Sequence, residues 1–296
     1  MALNVSLDLP TSDGRELFFG VRRIHLTWHK LRRYPQDTAF LHTNFLHGIA
    51  IGASMEVDLR RTASGDWVCL SHDFLERETT GHGKVTETHT AALRRLRLRN
   101  SYDGRLGDPP LFLDDIANAI TTPTGGIHNE THLQMDLKES VDCIDDAAIA
   151  NFTATITPIA DHCTLSGRSW PAVASLGEFT PGLELGFDPF YLIDSVSTAF
   201  TSAGAVEDFI GRVLDAAPQA HTLFLNYRLI GQALDLGVNP VTHFQRAGKT
   251  VDCWTLDAYT PRAAENLLMA VAAGVDRIIT NSPYALQTLW ARTDQG

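Results

Sequence analysis

Three short clusters place ionisable side chains where apolar runs end. Glu56 and Asp58 sit one residue apart in ASMEVDL, His72 and Asp73 close the run DWVCLSH, and Asp136 with Lys138 repeats the one-residue spacing in THLQMDLK. His29 ends VRRIHLTWH, and Trp254 stands in TVDCWTL. On an extended strand, residues i and i+2 project from one face, so Glu56 with Asp58, and Asp136 with Lys138, each present their side chains together. Three carboxylates converging on one place repel one another when ionised. A hard divalent cation, Mg²⁺ or Ca²⁺, resolves that repulsion, because such ions prefer carboxylate oxygens. Histidine titrates near neutrality, which suits His29 and His72 to general acid–base work, and Lys138 adds a charge suited to a phosphate. Taken singly, an E-x-D on a strand is usually solvated surface, and a His-Asp pair is usually a local turn. Their joint placement at strand ends separates them from that background, because burial penalises such groups without partners.

The elements that must position these residues alternate in type. Strand patterns, rich in β-branched and aromatic residues, fall at 21–29, 53–59, 66–72, 131–138, 161–167, 183–187, 222–226, 250–256 and 276–280. Helical patterns fall at 36–52, 88–98, 111–120, 205–216 and 261–273, with Thr88 or Thr90 as a candidate cap. The arginines 94, 95, 97 and 99 spread over more than one face of the 88–98 pattern, as on a solvated helix surface. Strands alternating with helices imply an α/β fold with a parallel sheet. The expectation is a single (β/α)₈ TIM barrel over residues 21–296, with residues 1–20 as an N-terminal extension. Nine strand candidates compete for eight places, and 222–226 is the weakest of them. An open doubly wound sheet is the alternative, but no GxGxxG or GxxxxGK[ST] loop follows any strand, which counts against a nucleotide-binding sheet. A barrel collects its functional groups at the C-terminal ends of its strands, where the polar clusters stand.

Composition narrows the partners. The chain has 296 residues, 35 acidic against 24 basic, and a formal charge of −11. That balance disfavours a nucleic-acid surface while leaving room for a local phosphate pocket. Cys69, Cys143, Cys163 and Cys253 lie far apart without metal-ligand spacing, as expected of free thiols. The N-terminus lacks the basic segment of a signal peptide, and no apolar run approaches the roughly 18 residues of a membrane span. A cytoplasmic protein acting on a small molecule is the expectation; nothing in the sequence sets an oligomeric state.

The segment MEVDLRRTASGDWVCLSHDFLERETTGHGKVTETHTAALRRL closely resembles the core of the glycerophosphodiester phosphodiesterase family, whose pattern runs E-x-D, a turn, H-D, then L-x-R-x-T-x-G-x-G-x-V. Downstream, PPLFLDDI, LQMDLK, VDCWTLD and GVDRIITNSP resemble further family segments, so the likeness spans about 29–283. The resemblance implies a TIM barrel that binds one divalent cation and cleaves a small-molecule phosphodiester, as in lipid metabolism. It implies Glu56, Asp58 and Asp136 as metal ligands, His29 and His72 as catalytic histidines, Lys138 on the phosphate and Trp254 against the substrate. Three positions depart from the pattern. Lys30 stands where the family has arginine and so lacks the bidentate fork, Gln36 replaces a carboxylate, and Asp136 replaces a glutamate with a shorter arm.

For a substrate with a hydroxyl beside the phosphoester, the simplest route is internal attack on phosphorus, one histidine removing the hydroxyl proton and the other protonating the leaving alcohol. A cyclic phosphate results, which water then opens or leaves. The sequence does not say which histidine plays which part. Sphingomyelinase D-like phospholipases and agrocinopine-type synthases are similar to the same family and remain alternatives, as does a barrel that only binds a phosphorylated ligand.

Overall fold

The computed structural model describes residues 12–122, 127–193 and 200–293. Eight parallel strands close on themselves: β2 (Arg22–Trp28), β3 (Ser54–Arg61), β5 (His132–Leu137), β6 (Cys163–Gly167), β7 (Glu184–Phe187), β8 (Thr222–Asn226), β9 (Thr250–Trp254) and β10 (Arg277–Thr280). Each pairs with the next in parallel, and β10 pairs with β2, which pairs with β3, so the ring has no free edge. This is the single (β/α)₈ barrel expected. Helices including His42–Ile51, Leu113–Thr121, Ala203–Ala216 and Ala263–Ala273 separate the strands. None among the described residues is long and apolar enough to cross a membrane.

Two short strands lie outside the ring. β1 (Glu16–Phe19) runs antiparallel to β2, and Trp28 donates its indole N–H to the Gly14 carbonyl at 2.8 Å. Residues 12–19 of the expected N-terminal extension thus pack on the barrel, while residues 1–11 lie outside the described residues. β4 (Trp67–Cys69) runs antiparallel to the far end of β3. The turn between them is pinned by Thr62, whose hydroxyl accepts the Ser64 and Asp66 N–H groups, and Gly65 supplies its positive φ of 84°.

The ninth candidate is therefore 66–72, a hairpin arm, and not 222–226, which pairs on both sides within the ring. Local pattern does not separate the two, because an antiparallel arm buried under a helix is as apolar as a barrel strand. The helix expected over 88–98 is confined to Thr90–Leu93 with His89 at its N-cap; beyond it the chain runs extended, Thr79 bridging Leu98 and Arg99 bridging Leu106.

Alternation along the strands sorts the core. Met55, Val57 and Leu59 of β3, and Leu133, Met135 and Leu137 of β5, are buried beneath the helices. Their neighbours point into the barrel, which is polar. Ser54 bonds Thr27 at 3.0 Å and His132 at 3.1 Å; His132 reaches Thr164 at 2.9 Å, and Thr164 donates to Glu184 at 3.3 Å. Across the barrel, Thr222 bonds Thr250 at 2.7 Å. This hydrogen-bonded belt fills the lower barrel and satisfies groups that would otherwise be stranded there. The free thiols Cys69, Cys163 and Cys253 are buried.

Candidate active site

The register between strands brings the acidic residues together. Glu56 lies opposite Gln134, and Asp58 opposite Asp136, which is in turn opposite Ser166. One carboxylate oxygen from each of Glu56, Asp58 and Asp136 falls within 4.8 Å of the others. Glu56 and Asp58 are buried, 3% and 0% exposed, and Asp136 is half-buried at the rim.

Two lysines answer this charge. Lys138 pairs with Asp58 at 2.5 Å and with Asp136; Lys30 pairs with Asp58 at 3.0 Å and donates to Ser71 Oγ at 2.7 Å. Burial opposes ionisation of Asp58, but the two ammonium groups outweigh it and hold its pKa well below the usual carboxylate range. Glu56 is driven the other way, well up, by burial and by the neighbouring Asp58 charge. Burial disfavours the Lys138 ammonium, yet the surrounding carboxylates raise its pKa.

The donor set fits a hard cation. It is all oxygen, and three carboxylates stand against two lysines, which leaves one negative charge over when all are ionised. Nearby, Gln134 Oε1 is buried without a hydrogen bond, a further free oxygen on the same cavity wall.

His29 begins the turn that leaves β2, and a chain of hydrogen bonds fixes its tautomer. Asp257 accepts from Asn281 Nδ2 at 2.9 Å and from the Asn281 backbone N–H at 2.6 Å. The Asn281 amide oxygen is thereby turned toward His29 Nδ1 (2.8 Å) and Arg32 (3.1 Å). An amide oxygen only accepts, so Nδ1 carries the proton and Nε2 keeps its lone pair. Burial, with the adjacent Lys30 charge, pushes the His29 pKa down to about 4, so the ring is neutral at physiological pH. His25 lies toward the other end of β2, beside Arg277.

The next residue, Lys30, adopts a left-handed backbone (φ 56°) that a non-glycine side chain rarely takes. That turn aims its N–H at Glu56 Oε2, 2.7 Å away.

A cavity of about 270 Å³ at the C-terminal ends of the strands collects His29, Lys30, Glu56, Asp136, Lys138 and Trp254. Asp58 lies buried in ion pairs with two of these lining residues. The Trp254 indole N–H donates to the Phe224 carbonyl at 3.1 Å, and its ring packs on Phe190 at 5.6 Å, giving an aromatic wall. A larger groove of about 980 Å³ on the outer wall, between helices 42–51 and 113–121, holds none of these residues.

His72 is placed differently. It lies in the loop after β4, not on a barrel strand. Its backbone N–H donates to Glu78 at 2.9 Å, and its exposed side chain lines a smaller pocket on the other side of Lys30. Asp73 is exposed and paired with Arg60.

Sequence reasoning missed Asn281 and Asp257, and also Ser166, Arg168 and Asp188, which line the same cavity. Burial and the nearby Asp136 push the Asp188 pKa up to about 7. The signal was present, since Ser166, Arg168, Asp188 and Asn281 stand at or just beyond the ends of candidate strands.

The fold is that of a group of solved phosphodiesterase structures. A putative glycerophosphoryl diester phosphodiesterase from Agrobacterium tumefaciens superposes with a TM-score of 0.65 at 17% identity, covering 92% of this chain and 99% of that one. A putative glycerophosphodiester phosphodiesterase from Galdieria sulphuraria gives 0.68 at 15% identity, covering 92% and 100%. An Oleispira antarctica phosphodiesterase, solved with the product sn-glycerol-3-phosphate, gives 0.62 at 16% identity, covering 89% and 95%. No protein-family model and no curated protein sequence matches the chain.

Proposed function

We propose that the chain is a metal-dependent phosphodiesterase that cleaves a small glycerophosphodiester-like substrate by histidine acid–base catalysis. The observation that carries this reading is the rim cavity. Three carboxylates suited to a divalent cation, two lysines and a neutral, tautomer-fixed histidine converge there on a barrel shared with phosphodiesterases.

Glu56, Asp58 and Asp136 would hold the cation, Mg²⁺ or Ca²⁺. When bound, it would draw charge from a phosphoryl oxygen and help orient the diester. Lys138 and Lys30, freed in part from Asp58, would face the remaining phosphoryl oxygens and stabilise the charge that grows there.

His29 is the general base. Its Nε2 lone pair takes the proton of the attacking hydroxyl, either water or a hydroxyl of the substrate itself, as that oxygen bonds to phosphorus. Asn281 holds Nδ1–H, so the imidazolium forms without a change of tautomer. His72, on the other side of Lys30, is the general acid that protonates the departing alcohol oxygen as the P–O bond breaks. Trp254, backed by Phe190, packs against the substrate's carbon skeleton. Attack by a substrate hydroxyl gives a cyclic phosphate, and attack by water gives a linear one.

Turnover of bis-(p-nitrophenyl) phosphate with added Mg²⁺ or Ca²⁺ separates an enzyme from a binding barrel. With glycerophosphodiesters, ³¹P NMR of the product separates cyclisation or transfer from hydrolysis.

A further inference from the structure

The small pocket beyond Lys30, about 100 Å³, is lined by three arginines, Arg32, Arg77 and Arg99. None of the three has an ion pair among the described residues. Arg32 is half-buried and bonds only neutral oxygens, the Asp37 carbonyl at 3.0 Å and the Asn281 amide at 3.1 Å. The side chains of Arg77 and Arg99 make no hydrogen bond among the described residues. The one carboxylate in the lining, Glu78, accepts the backbone N–H groups of Ser71 and His72 at 2.7 and 2.9 Å. Arg77 and Arg99 are exposed and Arg32 half-buried, so in a chain of net charge −11 three positive charges gather beside one cavity and repel one another, with Glu78 the single carboxylate among the lining residues.

The frame around them is rigid and strained. Lys30 and Phe40, both lining the pocket, have left-handed backbones (φ 56° and 59°), and the Phe40 N–H donates to the Lys30 carbonyl at 2.9 Å. Asn100 ties the facing loop by donating to the Gln36 carbonyl at 2.8 Å and to Thr38 at 3.1 Å. Left-handed non-glycine residues are disfavoured and persist only where the surroundings enforce them. Lys30 lines both cavities, so the two adjoin.

We propose that Arg32, Arg77 and Arg99 receive a second anionic group of the substrate, a carboxylate or phosphate on the alcohol arm beyond the scissile phosphate. The inference rests on the phosphodiesterase reading and narrows its substrate class. Guanidinium forks match both anions in a bidentate fashion. His72 lines the same pocket, so an arm seated there leaves its bridging oxygen near the proposed general acid.

The test compares kcat/KM within two substrate pairs. Glycerophosphoserine and glycerophosphoethanolamine differ by one carboxylate; glycerophosphoinositol 4-phosphate and glycerophosphoinositol differ by one phosphate. The expected result is a preference of at least about 10-fold for the anionic member of one pair, as one charge-assisted contact supplies, and the pair that shows it identifies the anion. In Arg77→Gln/Arg99→Gln, with an unchanged circular-dichroism spectrum, that ratio should fall to within about twofold of one, and Arg77→Lys/Arg99→Lys should restore part of it. Turnover of both members at equal rates by the native chain overturns this inference alone, as does a preference that survives the double substitution. No turnover of any of the four overturns the phosphodiesterase reading and this inference with it.

Discussion

At the scale of single residues, His29 concentrates the chemistry. Its type and its place before Lys30 were legible in the sequence. Its partner was not, because Asn281 lies 252 residues away and meets it only when β10 closes on β2. With the His29 pKa near 4, the base is already deprotonated at neutral pH. The acid limb of the kcat/KM profile should therefore fall below pH 6, beneath the ordinary histidine value of about 6.5; a limb at or above 6.5 would remove His29 from the role of base. His29→Ala and His72→Ala should each lower kcat by at least about 10²-fold, with His25→Ala far milder. Asn281→Ala should lower kcat by about 10-fold or more and carry the acid limb lower still, because the hydrogen bond to Asn281 favours the charged ring. A merely structural asparagine would leave the profile in place.

Among the elements, the inward face of each strand follows from its alternation, and the sequence carried that pattern faithfully through Glu56, Asp58 and Asp136. It failed where pairing partner, and not pattern, decides the outcome: 66–72 reads as strongly as 222–226, yet only the latter enters the ring. The same failure moved His72 off a strand and freed Arg99 from an expected helix surface. The polar belt beneath the site gives a stability prediction. Burial, with Arg277, His25 and His162 nearby, pushes the His132 pKa well below 6.5. A depressed histidine stabilises the fold above its unfolded pKa, and that contribution is lost as pH falls from about 6.5 toward the folded value. The melting temperature should therefore decline over this acidic range. In His132→Gln the decline should be smaller by at least about 2 °C; equal declines would show that His132 does not titrate in folding.

For the whole molecule, closure of the barrel brings the ends of β2, β3, β5 and β9 to one rim, and the register of β3 against β5 sets three carboxylates around one point. Ring closure was legible from the alternation of strands and helices; the two lysines set against Asp58 were not, because their contacts depend on side-chain direction at the rim. A cation bound there should raise the melting temperature with the logarithm of its concentration above Kd, by mass action, and Glu56→Gln/Asp58→Asn should abolish that shift. The most direct measurement follows a glycerophosphodiester by ³¹P NMR with Ca²⁺ or Mg²⁺, for the native chain and for this double variant. The native chain should convert the diester resonance to a cyclic or linear phosphate, EDTA should stop the conversion, and the variant should be slower by at least about 10²-fold, the scale of one lost electrostatic stabiliser. No conversion, or conversion indifferent to both EDTA and the two substitutions, would contradict a cation-assisted phosphodiesterase at this rim.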